Sequence, residues 1–256
     1  MNMLEVKNLK KIYKTRLQGN QVEALKDVSF EVEKNEFVAI MGESGSGKTT
    51  LLNILATLDK PTSGSVMLEG KNIETLKDKE LSKFRREQLG FVFQDFNLLD
   101  TFTLKDNIIL PLVLSNQKIN IMEDKVQKIS KMLCIDDILM KYPYEVSGGQ
   151  KQRAALARAM ITQPKLILAD EPTAALDSKA CEQLLVLFEK INKQGQTILM
   201  VTHSIKAASY AQRVLFIKDG RVFHQLYRKD KTFQQMYQQI SDTLTVLMTG
   251  GVHHES

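Results

Sequence analysis

Gly42-Glu43-Ser44-Gly45-Ser46-Gly47-Lys48-Thr49 is the stretch whose reading decides the fold. Gly42 and Gly47 bracket four residues, then Lys and Thr follow, the spacing of a loop that cradles phosphate. Before it runs Phe37-Val38-Ala39-Ile40-Met41, unbroken apolar sequence suited to a strand buried on both faces. After it, Thr50 to Ala56 opens a helix, so the context is strand, glycine loop, helix. Glycines let the backbone curl at positive φ and turn N–H groups inward, and the helix adds its positive end. In such a loop Lys48 reaches the β- and γ-phosphates and the Thr49 hydroxyl can ligate Mg²⁺.

Outward from the loop, short apolar runs end at one polar residue after another. Leu89 to Phe93 predicts a buried strand ending at Gln94. Leu166 to Ala169 predicts another, delivering Asp170 and Glu171. Side-chain alternation allows Asp170 to address a metal and Glu171 a water, although the pair also fits a solvated acidic turn. Thr197 to Val201 delivers Thr202-His203 at the same kind of edge, where His203 is either structural or a contact for a γ-phosphate.

The remaining chain divides by pattern. Leu4, Val6 and Leu9 predict an edge strand; Val28 to Val32 and Val66 to Leu68 alternate as strands with one wet face. These predict an antiparallel sheet beside the parallel core. Tyr13 falls in a polar stretch between the first two strands, as a surface aromatic or a platform for a purine. Asp78 to Arg86 predicts an exposed helix, and Leu104–Leu114 and Met122–Leu133 form a helical insertion. Ser147-Gly148-Gly149-Gln150 opens the next helix, either as a plain cap or as a second anion site on a helix N-terminus. Pro172 to Asp177 leads into a further helix. Asp219-Gly220 predicts a hairpin turn between Val214–Ile217 and Arg221–Leu226. Lys231 to Thr249 predicts a terminal helix, and the tail from Gly250, with His253-His254, reads as loose.

Composition bounds the rest. The 256 residues are 43% hydrophobic and 25% charged, ordinary for a globular protein. No stretch approaches the roughly eighteen apolar residues of a membrane span. The start lacks a signal-peptide core. Cys134 and Cys181 are far apart without metal spacing and read as free core thiols of a reducing compartment. The net charge of +5 comes partly from Lys7, Lys10, Lys11, Lys14 and Arg16. No basic stripe interleaves with aromatics, so no nucleic-acid partner is expected.

Together these pieces resemble the ATP-binding subunit of an ABC transporter. The fold this implies is α/β: a P-loop NTPase with a RecA-like parallel core, an antiparallel β subdomain and an inserted α-helical subdomain. The expected division is 1–94 with 163–228 as core, 95–162 as helical subdomain, and 229–256 as terminal helix and tail. The resemblance implies ATP held by Tyr13, Gly42, Glu43, Ser44, Gly45, Ser46, Gly47, Lys48, Thr49, Thr50 and Gln94. It implies Mg²⁺ at Thr49, Gln94 and Asp170, with Glu171 as general base and Lys48 and His203 on the γ-phosphate. Ser147, Gly148, Gly149 and Gln150 match the family signature, and Asp177 the loop that crosses a dimer interface. A second copy packed head to tail would complete each site, and separate membrane permease subunits would hold the pair at the cytoplasmic face. Val146 stands where Leu is usual, and Ala174-Ala175 where a Ser is common; neither removes a phosphate contact.

Within that family, Phe91 to Thr101, Lys141-Tyr142-Pro143 and Phe216 to Gly220 look most like Bce-type transporters, which confer resistance to bacitracin and related peptides. That subgroup implies an indirect link to a two-component sensor kinase. Lipoprotein-release, macrolide-export and cell-division relatives share much of this pattern. An ATPase acting on DNA or ribosomes would carry a long coiled coil or two ATPase units, and neither is present. A GTPase would need Asn-Lys-x-Asp, whereas Asn192-Lys193 is followed by Gln194-Gly195.

Overall fold

The computed structural model describes residues 2–14 and 21–249, with backbone only for 248 and 249. Arg16, His253-His254 and the tail from Gly250 lie outside the described residues. Among the described residues ten strands form one sheet: β1 (Asn2–Lys14), β2 (Gln21–Glu33), β3 (Phe37–Met41), β4 (Ser63–Leu68), β5 (Lys71–Asn72), β6 (Leu89–Val92), β7 (Leu166–Asp170), β8 (Thr197–Val201), β9 (Arg213–Lys218) and β10 (Arg221–Tyr227). Their order is β5-β4-β1-β2-β10-β9-β3-β8-β7-β6.

The apolar runs explain the core. Along β3, Phe37, Ala39 and Met41 enter one hydrophobic cluster, and Val38 and Ile40 the other. β7 and β8 split the same way, Ile167 with Ile198 on one side and Leu168 with Leu199 on the other. Strands buried on both faces cannot alternate polar and apolar, hence the unbroken runs. β3, β6, β7 and β8 are parallel neighbours, so their carboxyl ends share one edge. The antiparallel half, β5-β4-β1-β2, meets this core at a single parallel pair, Asp27 with Arg221.

Eight helices cover the faces among the described residues: α1 (Lys48–Leu55), α2 (Asp78–Gln88), α3 (Leu104–Val113), α4 (Ile119–Met132), α5 (Gly148–Met160), α6 (Ser178–Lys193), α7 (Ile205–Ser209) and α8 (Phe233–Thr249). Leu51 and Ile54 of α1 pack on the Val38 side, with the antiparallel strands. Leu104, Val126, Leu156 and Leu184, from α3, α4, α5 and α6, pack on the Phe37 side. Among the described residues no helix is long and apolar enough to cross a membrane.

Three expectations are corrected. β1 is not an edge strand; it lies between β4 and β2, because its Leu4, Val6 and Leu9 are needed under both neighbours. Tyr13 is not between strands but inside β1, paired with Val22. Both cysteines are free, yet Cys134 is exposed. It follows the last turn of α4 at φ +52°, a left-handed stop that turns it out of the core.

Candidate functional site

Gly42, Lys48, Thr49, Gln94, Asp170, Glu171 and His203 line one cavity of about 420 Å³ at the carboxyl edge of the parallel strands. The loop after β3 supplies its floor. Gly45 and Gly47 take φ of +79° and +101°, and no side chain caps α1. The open N–H groups and positive end of that helix therefore face the cavity. Added Cβ atoms show how close the backbone lies. One on Gly42 would sit 2.2 Å from the Ile217 carbonyl oxygen, and one on Gly47 2.4 Å from that of Ala24. The Ser46 hydroxyl is buried inside this curl without a partner, off the cavity lining.

Lys48 folds back over the loop, its Nζ donating to the carbonyls of Gly42 and Glu43 at 2.8 Å each. Burial lowers its pKa, and the carboxylates of Glu171 and Asp170 oppose the shift. Asp170 shows the converse: burial and then Glu171 raise its pKa, with Lys48 pulling it down. Burial thus disfavours the charged form of both groups, while each favours the charged form of the other.

Glu171 is held on three sides. Its backbone has φ +45°, and its N–H donates to the Val201 carbonyl. Oε2 accepts from Thr202 Oγ1 at 3.0 Å, and Oε1 lies 2.8 Å from His203 Nδ1. A left-handed backbone costs a non-glycine residue about 1–2 kcal/mol. The contacts to Thr202 and His203 keep it there. Thr202, which the sequence places just past β8 without a role, is fully buried.

Eight expected residues lie off the cavity lining: Tyr13, Glu43, Ser46, Ser147, Gly148, Gly149, Gln150 and Asp177. Tyr13 is 40% exposed; it donates to Asp59 Oδ2 at 2.7 Å, while Lys11 sits 4.8 Å from its ring centre. Burial and then the Asp59 bond raise its phenol pKa, and the nearby Thr50 hydroxyl opposes this, which puts the ring beside the first turn of α1. Ser147 and Gln150 form a complete capping box: Ser147 Oγ accepts from Gln150 N and Gln150 Oε1 from Ser147 N. Gly149 packs so closely that a Cβ would lie 2.9 Å from that of Ala180. Asp177 caps α6, accepting from Lys179 and Ala180 N–H at 2.9 Å each. Ser147 and Asp177 are exposed, Gly148 stands against Ala175 and Leu176, and the two motifs form one surface apart from the phosphate loop.

A glycine loop, a lysine, a carboxylate pair and a histidine on one sheet edge define a nucleoside-triphosphate hydrolase. The model of the family described as ABC transporter matches residues 25–174, and the chain belongs to that family as an ATP-binding, ATP-hydrolysing subunit. It is 52% identical over 247 residues to the ABC transporter ATP-binding protein YxdL of Bacillus subtilis, covering 96% of this chain and 95% of that one. It is 49% identical over 256 residues, all of both chains, to the bacitracin export ATP-binding protein BceA of Halalkalibacterium halodurans. The dimeric, post-hydrolysis structure of the cassette MJ0796, bound to ADP and Pi, superposes with a TM-score of 0.80 at 40% identity. That match covers 88% of this chain and 98% of the other.

Proposed function

We propose that the cavity is the hydrolytic half-site of a Bce-type transporter ATPase. Gly42 to Thr50 and Tyr13 hold ATP, the loop taking the phosphates and Tyr13 the base. Thr49, Gln94 and Asp170 offer a hydroxyl, an amide and a carboxylate, an all-oxygen set that suits Mg²⁺. No cluster of three acidic, His or Cys residues exists among the described residues to cage a metal alone. Mg²⁺ keeps waters and substrate phosphates as ligands, so few protein groups suffice. Bound there, it would neutralise charge developing on the phosphate oxygens. Glu171 takes the proton of the attacking water, His203 fixes that carboxylate and contacts the γ-phosphate, and Lys48 stabilises the departing charge. The surface of Ser147, Gly148, Gly149, Gln150 and Asp177 serves the site of a second copy, since it lies outside its own cavity.

The division into 1–94 with 163–228, 95–162, and 229–256 belongs to the same reading. So does a membrane permease at the cytoplasmic face. An open groove of about 470 Å³ beside Leu58, Phe91, Leu110 and Leu114 offers it an apolar seat. Full-length similarity to the bacitracin export protein BceA supports a bacitracin-like peptide as the transported compound, and an indirect link to a sensor kinase is part of the same proposal. One observation carries the catalytic reading: Glu171, held by Thr202 and His203, opens on the same cavity as the phosphate loop. Glu171→Gln tests it. Turnover should fall by about 10²–10⁴-fold with ATP still bound; turnover at the parent rate would remove Glu171 as the base. Loss of bacitracin resistance on deleting the gene tests the substrate.

A further inference from the structure

Gln152 is fully buried, one turn into α5, yet none of the chemistry above uses it. Its Nε2 donates to two backbone carbonyls, Phe93 at 3.1 Å and Pro172 at 2.8 Å. Phe93 immediately precedes Gln94, and Pro172 immediately follows Glu171. One amide thus clamps the loop after β6 to the loop after β7. Its Oε1 is buried and has no partner. Reversing the amide would aim that oxygen at two carbonyl oxygens, so the acceptors fix the orientation and leave Oε1 unpaired. A buried orphan acceptor is a cost that an apolar side chain of the same length would avoid.

The same helix grips the first loop again. Arg158 donates to the carbonyls of Phe96 and Asn97, whose φ values are +61° and +49°. Among the described residues, Gln152 is the α5 side chain that hydrogen-bonds both loops.

We infer that Gln152 is a positioning residue for hydrolysis: it sets the separation of Gln94 and Glu171 by tying their neighbouring carbonyls to the helix that begins at Ser147. The inference rests on the roles given above to Gln94 and Glu171. It makes the distance between a metal-linked amide and the base depend on where α5 sits. A helix capped at the second-copy surface thereby acts on the chemistry of its own site.

Gln152→Met keeps length and burial and removes both donors. Steady-state ATPase assays, titration with a fluorescent ATP analogue and thermal melts of the purified chain should be run on this variant, Glu171→Gln and the parent together. A misplacement on the ångström scale costs up to about 10²-fold, so kcat should drop roughly 10- to 100-fold. Nucleotide affinity should stay within about threefold, because the phosphate loop is untouched. Gln152→Glu is the second variant: only its protonated form can donate, so its kcat relative to the parent should rise as pH is lowered. Parent-like kcat in Gln152→Met, with Glu171→Gln inactive, would overturn the inference and leave the base intact. Equal losses of affinity and turnover would overturn it too, as a packing effect. If Glu171→Gln itself turned over normally, the underlying reading would fail instead. Should Gln152→Met not fold, a flat pH profile for Gln152→Glu would overturn the inference.

Discussion

Thr202 Oγ1 donates to Glu171 Oε2 at 3.0 Å across the gap between two parallel strands. The same oxygen accepts the Ser204 N–H at 3.0 Å, so Thr202 also braces the start of α7. Thr202→Val preserves shape and removes both bonds. Turnover should fall about tenfold, the scale on which an unsatisfied buried hydrogen bond acts. Thr202→Ser should stay near the parent. Turnover at saturating ATP decides; an unchanged Val variant would show that His203 alone orients the carboxylate.

Asp170 gives a pH signature. Burial and the adjacent Glu171 hold its folded pKa above the unfolded value. The folded state therefore binds this proton more tightly, and ionisation costs stability as pH rises through the carboxylate range. The cost is absent well below that range and complete above it. Asp170→Asn removes it. Relative to the parent, the nucleotide-free variant should melt progressively higher from about pH 4 to pH 7. Paired melts at the two ends of that interval test this, and a gap that widened on acidification would refute it.

The loop glycines should separate by their surroundings. Gly45 and Gly47 share positive φ, but a Cβ on Gly45 meets nothing within 4 Å. On Gly47 it would meet the Ala24 carbonyl oxygen at 2.4 Å and Leu25 Cδ2 at 2.7 Å. Gly45→Ala should cost only the left-handed penalty of about 1–2 kcal/mol, a Tm loss of roughly 2–8 °C. Gly47→Ala should lose more and forfeit nucleotide binding, by melts with and without ATP.

Tyr13 offers a ring and a hydroxyl that can be separated. Tyr13→Ala should weaken ATP binding by about 1–3 kcal/mol if a base stacks there. Tyr13→Phe loses the Asp59 bond and keeps the ring, so its affinity should remain within about threefold of the parent. Equal weakening in both variants would assign Tyr13 to anchoring Asp59 instead. Nucleotide titration distinguishes the two.

Much of this site was legible because a strand buried on both faces leaves no choice of residue. Apolar runs at 37–41, 166–169 and 197–201 became strands buried on both faces and 89–93 the outermost strand beside them, and what followed each run shares one edge. Asp219 and Gly220, at φ +48° and +71°, formed the hairpin their dipeptide announced. Reading failed where a polar residue does a buried task. Gln152 shares a helix face with Leu156 and Ala159, a spacing that hinted at burial, but a glutamine beside a signature looks solvated. The place of β1 was missed because its pattern is irregular: several register shifts interrupt its pairing with β2. Tyr13 falls past them.

The positive φ of Glu171 sets evolution at odds with durability. Gly or Asn would relax the backbone there, and either would also lift a negative charge from beside Asp170. A library of this chain screened only for survival of heat should drift toward those residues at position 171 and go silent as it toughens. Under the role proposed for it, glutamate there trades backbone ease for turnover.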